Sequence, residues 1–104
     1  MLGPWVRVPA GSQGSGKIRA FFMPYYVYIL YSTQFDRFYI GQTQDTTIRL
    51  QRHNTGLEKA TSPYIPWEIK CVIEKATRSE SMILERKIKN LNREKLLRFI
   101  DKFS

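Results

Sequence analysis

The chain has little cysteine and histidine and no long apolar run. Its 104 residues include one cysteine, Cys71, and one histidine, His53. A single cysteine forms neither an internal disulfide nor a thiolate metal cluster, so the sequence is typical of a protein of the reducing cytoplasm. No stretch approaches the roughly 20 apolar residues of a membrane span, so we expect no association with a membrane. Cys71 lies in a strand-like run, which predicts a buried apolar residue.

Length and charge narrow the class of protein. A chain of 104 residues suits one domain and is too short for two. Its formal net charge is +8, and a basic surface attracts polyanions, of which nucleic acid is the commonest. Arg7, Lys17 and Arg19 supply three of these charges, so +5 remains for residues 23–104.

The first 22 residues differ from the rest of the chain. They contain four of the six glycines and the linker-like stretch "AGSQGSGK". We therefore expect residues 1–22 to be a disordered or non-native extension, with Met23 as a candidate for the true start and residues 23–104 as the folded domain.

Three stretches have the character of β-strands. "YYVYILYS" is aromatic and β-branched, and a short polar turn separates it from "FYIGQT", which predicts an antiparallel hairpin. "WEIKCVIEKA" alternates apolar and polar residues, which indicates a third, half-buried strand. Its apolar face is expected to contain Trp67, Ile69, Cys71 and Ile73.

Helix signals follow the hairpin and the third strand. Asp45 can cap a first helix that ends at Gly56, with Ile48 and Leu50 as apolar anchors. Two later helices are expected to begin at a capping box of Thr77 and Glu80 and at a cap of Asn92. Their buried stripes would contain Leu84, Ile88 and Leu91, and then Leu96, Phe99 and Ile100. The prediction is an α+β fold, a small three-stranded antiparallel sheet flanked by helices in the order β-β-α-β-α-α.

Six residues then stand where they can form one site: Tyr28, Tyr39, Gly41, Arg49, His53 and Glu85. Tyr28 and Tyr39 lie on paired strands and can share a sheet face. Gly41 has no side chain, so a bulky group can approach the backbone. Arg49 and His53 are four residues apart on a helix and point the same way. Glu85 borders the buried stripe of a later helix.

At this point the sequence resembles the GIY-YIG nucleases over about residues 25–100. The first motif appears as Tyr26, Val27 and Tyr28, and the second as Tyr39, Ile40 and Gly41. Arg49, His53 and Glu85 match the family's arginine, its aromatic or histidine, and its glutamate. The ending resembles that of the small standalone bacterial members, in Glu85, Ile88, Lys89, Arg93 and Lys95. Tyr26 replaces the first glycine, and Gln42 stands where the excision-repair nucleases have lysine.

The resemblance implies a metal-dependent endonuclease that hydrolyses DNA phosphodiester bonds, in repair or recombination. Arg49 would stabilise the negative charge that develops on the phosphate, and Glu85 would hold Mg²⁺ or Mn²⁺. Tyr28 or Tyr39 would orient or deprotonate the attacking water, with its pKa lowered by Arg49 or the metal, and His53 would relay the proton. The residues alone do not decide between the two tyrosines.

DNA binding would involve basic residues around the site, which contact phosphates without reading sequence. The candidates are Arg52, Lys59, Lys87, Lys89, Arg93 and Lys95. We expect selection of branched or single-stranded DNA by structure. Gln42 keeps open a nucleic-acid-binding module without useful activity, and the fold alone keeps open a protein-interaction adaptor. Oligomeric state is not predicted.

Overall fold

The computed structural model describes residues 23–104, so the prediction for residues 1–22 lies outside the described residues. The predicted α+β fold and its order of strands and helices are confirmed, with one additional short 3₁₀ helix in the loop before the third strand. The elements are β1 (Tyr25–Ser32), β2 (Arg37–Thr43), α1 (Thr46–Asn54), the 3₁₀ helix (Ser62–Tyr64), β3 (Glu68–Lys75), α2 (Arg78–Lys89) and α3 (Arg93–Phe103).

The three strands form an antiparallel sheet with β1 at its centre, in the order β2-β1-β3. The tight turn between β1 and β2 places Asp36 in the left-handed region, at a φ of 53°. An aspartate tolerates this conformation better than most residues. Its carboxylate accepts hydrogen bonds of 2.7 Å from the Tyr31 hydroxyl and from the Arg93 guanidinium. The hairpin is thereby tied to α3.

Each face of the sheet carries its own apolar cluster, because neighbouring strand residues point to opposite faces. On the first face, which we call the α1 face, the buried residues are Tyr28, Leu30 and Trp67, and Leu50 of α1 packs against them. On the second, the α2/α3 face, the buried residues are Val27, Ile29, Cys71, Ile88 and Leu96. Cys71 is buried as predicted, and burial raises the pKa of its thiol to about 11.

The prediction of a single apolar face on β3 is wrong. Trp67 and Ile69 pack in the cluster of the α1 face, whereas Cys71 packs on the α2/α3 face. The register explains the change, because Ile29 pairs with Cys71 but Leu30 pairs with Ile69, which leaves one residue of β3 over. Such a bulge reverses the alternation of side chains along the strand.

The predicted helix caps are confirmed. The Asp45 carboxylate accepts from the backbone N–H of Ile48 at 3.0 Å, and Asn92 caps α3 in the same way. Thr77 and Glu80 form the capping box of α2, with each side chain accepting from the other residue's backbone N–H. Glu80 is therefore engaged at the start of its helix.

Two of the three helices bury the predicted residues. The stripes of α2 and α3 pack on the core through Leu84, Ile88, Leu91, Leu96, Phe99 and Ile100. On α1, Leu50 packs inward, but Ile48 is 56% exposed, so its prediction as an anchor is wrong. In α1 the buried place is taken by His53, which a hydrophobic pattern does not identify. Within residues 23–104, no helix is both long and apolar enough to cross a membrane.

Candidate active site

A directed chain of hydrogen bonds runs from Tyr28 through His53 to Thr61. The Tyr28 hydroxyl lies 3.0 Å from His53 Nε2, and His53 Nδ1 lies 2.7 Å from Thr61 Oγ1. The Thr61 hydroxyl donates its only proton to the carbonyl of Glu58, so its oxygen accepts from His53 Nδ1–H. Neutral His53 therefore has its free lone pair on Nε2, where it accepts the proton of the Tyr28 hydroxyl.

Burial sets the charge state of this chain. It raises the pKa of Tyr28 well above its ordinary value, and neighbouring Tyr39 raises it further. Arg49 lowers this pKa, as predicted for a nearby cation, but its effect does not outweigh that of burial. Burial also lowers the pKa of His53, against the opposing charge of Glu58. Near neutral pH the pair is a neutral phenol and a neutral imidazole.

The second motif surrounds the Tyr28 ring. Tyr39 is half-buried, with its ring centre 6.4 Å from that of Tyr28 and 5.0 Å from that of His53. A Cβ atom added to Gly41 would lie 2.6 Å from the Tyr28 hydroxyl oxygen. The bulky group that needs the bare glycine is therefore Tyr28 itself. The intervening Ile40 of the motif packs on the opposite face and supports the core, as Val27 does in the first motif.

Arg49 opens onto a polar hollow of about 250 Å³ at the end of the sheet. We call it the Arg49 hollow; its lining residues are Tyr25, Gln42, Thr43, Gln44, Arg49 and Arg78. The lining contains no carboxylate, and neither arginine has an acidic partner within residues 23–104. Two unpaired guanidinium groups in one hollow favour an anion such as a phosphate, whose oxygens match their planar donors.

Glu85 reaches this hollow through Gln42. The Glu85 side chain is 17% exposed, and its Oε1 accepts a 3.0 Å hydrogen bond from the Gln42 amide nitrogen. Its Oε2 pairs with the Lys89 ammonium at 2.8 Å. The Gln42 amide oxygen accepts from the hydroxyl of Ser81, which is fully buried. Ser81 thus holds the amide of Gln42, and that amide in turn orients the carboxylate of Glu85.

The predicted site residues form two connected groups. Tyr28, Tyr39, His53 and Arg49 lie together on the α1 face. Glu85 lies on α2, which packs on the other face, and in the described part of the chain its carboxylate bonds to Gln42 and Lys89 but forms no hydrogen bond with either tyrosine. The connection between the groups is Gln42, at the end of β2.

Sequence reasoning missed three residues of this arrangement: Thr61, Arg78 and Ser81. Arg78 and Ser81 belong to the first turns of α2, where a sequence shows only the capping signal. Thr61 lies in a loop, and its role depends on the packing of that loop against His53. A threonine eight residues after a helical histidine carries no periodic signal, so only tertiary structure identifies it.

The family follows from comparison with known proteins. The family model of the GIY-YIG catalytic domain matches residues 24–98. The chain belongs to the GIY-YIG family. This is a family of endonucleases, and membership implies nuclease activity on DNA, for which family members generally use divalent metal ions.

A solved structure supports the same assignment. The GIY-YIG chain is similar to a UPF0213 protein from Bacillus halodurans whose structure was determined by solution NMR. The two are 29% identical, the match covers 76% of this chain and 84% of that chain, and the TM-score is 0.51. No curated protein matches the chain.

The donor groups of this GIY-YIG domain fit a magnesium-type ion. Within residues 23–104, no three His, Cys, Asp or Glu residues come together, which does not suit a closed zinc site. Mg²⁺ instead keeps several waters and needs only one or two carboxylates beside the substrate phosphate. The half-buried carboxylate of Glu85 already attracts a cation, the ammonium of Lys89. Glu85 is therefore the residue that would hold the ion.

The predicted DNA-contacting residues do not form one surface. Arg52 pairs with Glu58 at 2.8 Å beside α1, and Lys59 follows in the adjoining loop. The other four, Lys87, Lys89, Arg93 and Lys95, belong to α2 and α3. Among all six, Lys59, Lys87 and Lys95 have no acidic partner in the described residues. These basic residues are thus divided between the two faces of the sheet.

Proposed function

We propose that residues 23–104 form a Mg²⁺- or Mn²⁺-dependent GIY-YIG endonuclease that selects DNA by structure, acting on branched or single-stranded substrates in repair or recombination. The observation that supports this proposal is the Arg49 hollow, which two guanidinium groups line without an acidic partner in the described residues, and whose Arg49 interacts with Tyr28 of the Tyr28–His53 pair. The single buried thiol of Cys71 suits the reducing cytoplasm.

Arg49 and Arg78 would bind the scissile phosphate. Hydrolysis increases the negative charge on the phosphate oxygens, and prepositioned cationic donors stabilise that charge more in the transition state than in the ground state. Gln42 and Gln44 add neutral amide groups to the same hollow. None of these groups selects a base, which agrees with recognition of DNA structure.

Tyr28 is the favoured proton carrier and Tyr39 the residue that orients the water. Because the pKa of Tyr28 is raised, its phenol is neutral and does not act as a preformed base. It can accept the proton of the attacking water while it passes its own proton to Nε2 of His53. The hydroxyl of Tyr39 has no hydrogen-bond partner within residues 23–104 and is free to hold that water.

Glu85 would hold the divalent ion at the edge of the hollow. When bound, the ion supplies charge neutralisation at the phosphate and stabilises the leaving oxygen. Gln42 would keep one carboxylate oxygen in place through its 3.0 Å hydrogen bond. Lys89 would have to release the other oxygen, and its side chain, which is 52% exposed, can turn into solvent.

The decisive experiment is a nicking assay on plasmid, branched and single-stranded DNA with Mg²⁺ or Mn²⁺. We expect Glu85→Gln to reduce cleavage by about a hundredfold or more, since one essential charge is lost. Glu80→Gln is the matched control on the same helix, because glutamine preserves the capping box. Equal cleavage by the wild type and Glu85→Gln on every substrate would refute the proposed chemistry.

A binding module without turnover is the second candidate. Gln42 offers no positive charge where the excision-repair nucleases have lysine, and Lys89 already neutralises Glu85. This candidate predicts DNA binding that weakens steeply with salt and no cleavage that depends on metal. Metal-dependent nicking by the wild type excludes it.

A further inference from the structure

A groove of about 450 Å³ lies between α2, α3 and β3, whereas the sheet residues that line the Arg49 hollow belong to β1 and β2. Lys75 of the groove pairs with Tyr25 of the hollow, so the two lie at the same end of the sheet, roughly 5 Å apart at that pair. Four lysines and two aromatic rings characterise this lysine groove: Lys75, Lys87, Lys95, Lys102, Phe99 and Phe103. The groove shares no lining residue with the Arg49 hollow, and Glu85 does not line it.

The charges of the lysine groove are unsatisfied. None of its four lysines has an acidic partner within residues 23–104, and none of its lining residues is acidic. Its fifth cation, Arg98, already pairs with Glu94 at 2.6 Å. Lysines grouped around one hollow repel each other, so a bound polyanion would relieve that repulsion.

The neighbouring hollow on the other side of α3 shows that this pattern is not general for the basic chain. That hollow has a similar volume, about 470 Å³, but Asp101 lines it. Its cations Arg93 and Lys70 pair with Asp36 and Glu68. The two hollows have similar volumes and both border α3, but acidic residues neutralise the cations Arg93 and Lys70 in one of them, whereas the lysines of the other have no acidic partner in the described residues.

One exposed aromatic ring, Phe103, lies among the lysines of the groove, next to the partly buried ring of Phe99. The ring centres of Phe99 and Phe103 are 4.6 Å apart, and Phe103 is 48% exposed. The ammonium of Lys102 lies 5.4 Å from the centre of the Phe103 ring. Exposed rings flanked by cations are the combination that binds the flat bases and the phosphates of a single strand.

We propose that the lysine groove binds a single-stranded segment of nucleic acid, with a base against Phe103 and phosphates against the lysines. The inference rests on the proposed function, in which the Arg49 hollow binds the scissile phosphate. The groove would then hold an unpaired strand of a branched substrate. An acidic peptide would match the charge, but only a nucleic acid alternates phosphates with planar bases at every residue.

The test is a titration of the protein with a twelve-residue oligothymidine in EDTA, followed by fluorescence anisotropy and by backbone amide NMR shifts. Chelation prevents metal-dependent cleavage, so the readout is binding alone. We expect the largest shifts in α3 and at Lys87, and a loss of affinity of roughly tenfold in Phe103→Ala, typical of one stacked base. Leu97→Ala is the matched control, since Leu97 is 45% exposed on the same helix but lies outside the groove.

A second pair of variants tests the charges. Replacing Lys95 and Lys102 with glutamine removes two phosphate contacts and is expected to reduce the salt slope of binding by about 1.4. Replacing Arg37 and Lys70 makes the same change in net charge outside the groove and is expected to leave most of that slope intact. Thermal unfolding of each variant verifies that the fold persists.

Three results would overturn the proposal. They are equal affinities of Phe103→Ala and Leu97→Ala, shifts confined to the Arg49 hollow, and tighter binding of an acidic peptide with the same charge as the oligonucleotide. Failure of the catalytic proposal is separate, because it is read from cleavage by the wild type and Glu85→Gln in metal. Groove binding without cleavage would support this inference and refute the nuclease chemistry.

Discussion

The two faces of the sheet bury different kinds of side chain. The α1 face buries a polar chain, Tyr28, His53 and Thr61, in which each group has a hydrogen-bond partner. The α2/α3 face buries aliphatic residues such as Ile29 and Ile88. Burying polar groups stabilises a fold little even when they are paired, whereas apolar burial is the main favourable contribution. We therefore expect substitutions in the polar chain of the α1 face to affect mainly the rate, and substitutions in the aliphatic cluster of the α2/α3 face to affect mainly stability.

The largest expected effect is the loss of cleavage rate on removal of Arg49, which tests the α1 face. Arg49→Ala should reduce cleavage by about 10²–10³-fold, as the loss of one prepositioned donor typically does, while the midpoint of thermal unfolding changes little. Single-turnover nicking measures the rate, and circular dichroism measures the unfolding. Gln51→Ala on the same helix is the exposed control. If loss of stability were large enough to account for the slower cleavage, Arg49 would have a structural role and the distinction between the two faces would fail.

Ile88 tests the α2/α3 face, where we expect a large loss of stability and little change in the rate of cleavage. Ile88→Ala should lower the free energy of unfolding by about 2–5 kcal/mol, because it opens a cavity in the buried cluster. Ile88→Val removes one methylene, costs about 0.5–1.5 kcal/mol and keeps most molecules folded. Urea denaturation gives both values. For the folded fraction we expect nearly normal nicking; a loss of rate in Ile88→Val well beyond its unfolded fraction would contradict the division.

Gly41 is expected to affect both stability and cleavage, because it contacts the buried hydroxyl of Tyr28. The Cβ atom of Gly41→Ala would overlap the Tyr28 hydroxyl, so we expect a cost in stability of about 1–3 kcal/mol and a displaced Tyr28–His53 pair with impaired nicking. Gly56→Ala is a useful control because it strains a backbone at φ 83° just after α1, where the nearest atoms to an added Cβ belong to Ile65 and Ser62 and not to Tyr28. Equal nicking by the two variants would remove Gly41 from the site.

The two tyrosines can be separated by removing their hydroxyl groups. Tyr28→Phe leaves the buried Nε2 of His53 without its donor, which should cost about 1–3 kcal/mol in stability and slow nicking. Tyr39→Phe should leave stability nearly unchanged, since its hydroxyl has no partner within residues 23–104. Unfolding and nicking of both variants provide the comparison. Greater damage to nicking in Tyr39→Phe would reverse their proposed roles.

Local rules were sufficient for most of the fold. Caps such as Asp45 and apolar periods such as that of α2 act between near neighbours in the chain, so the sequence displays them directly. The bulge in β3 was missed because it depends on how that strand pairs with β1, about 40 residues earlier in the chain. One unpaired residue then changed the face of Trp67 and Ile69.

The same distinction between local signals and long-range packing applies to the candidate site. Helical spacing predicted that Arg49 and His53 point together, and strand pairing predicted that Tyr28 and Tyr39 are neighbours. The position of Gln42 between Glu85 and the Arg49 hollow depends on how α2 packs against β2. The sequence therefore showed Gln42 only as a missing lysine, although its amide is the contact that joins the two groups of the site.

The smallest expected effect is the pH dependence of stability that His53 produces. Burial lowers the pKa of folded His53 below its ordinary value of 6.5, so on acidification the unfolded chain binds the proton first. The stabilisation is therefore fully present above pH 6.5 and is lost as the pH falls from there toward the lowered pKa. The lowered carboxyl pKa values of Asp36 and Glu58 affect stability only below about pH 4.5, and the chain has no other histidine. The midpoint of thermal unfolding should fall between pH 8 and pH 5 in the wild type and should change much less over that range in His53→Gln. An equal fall in both proteins would place the acid-sensitive group elsewhere than on the α1 face.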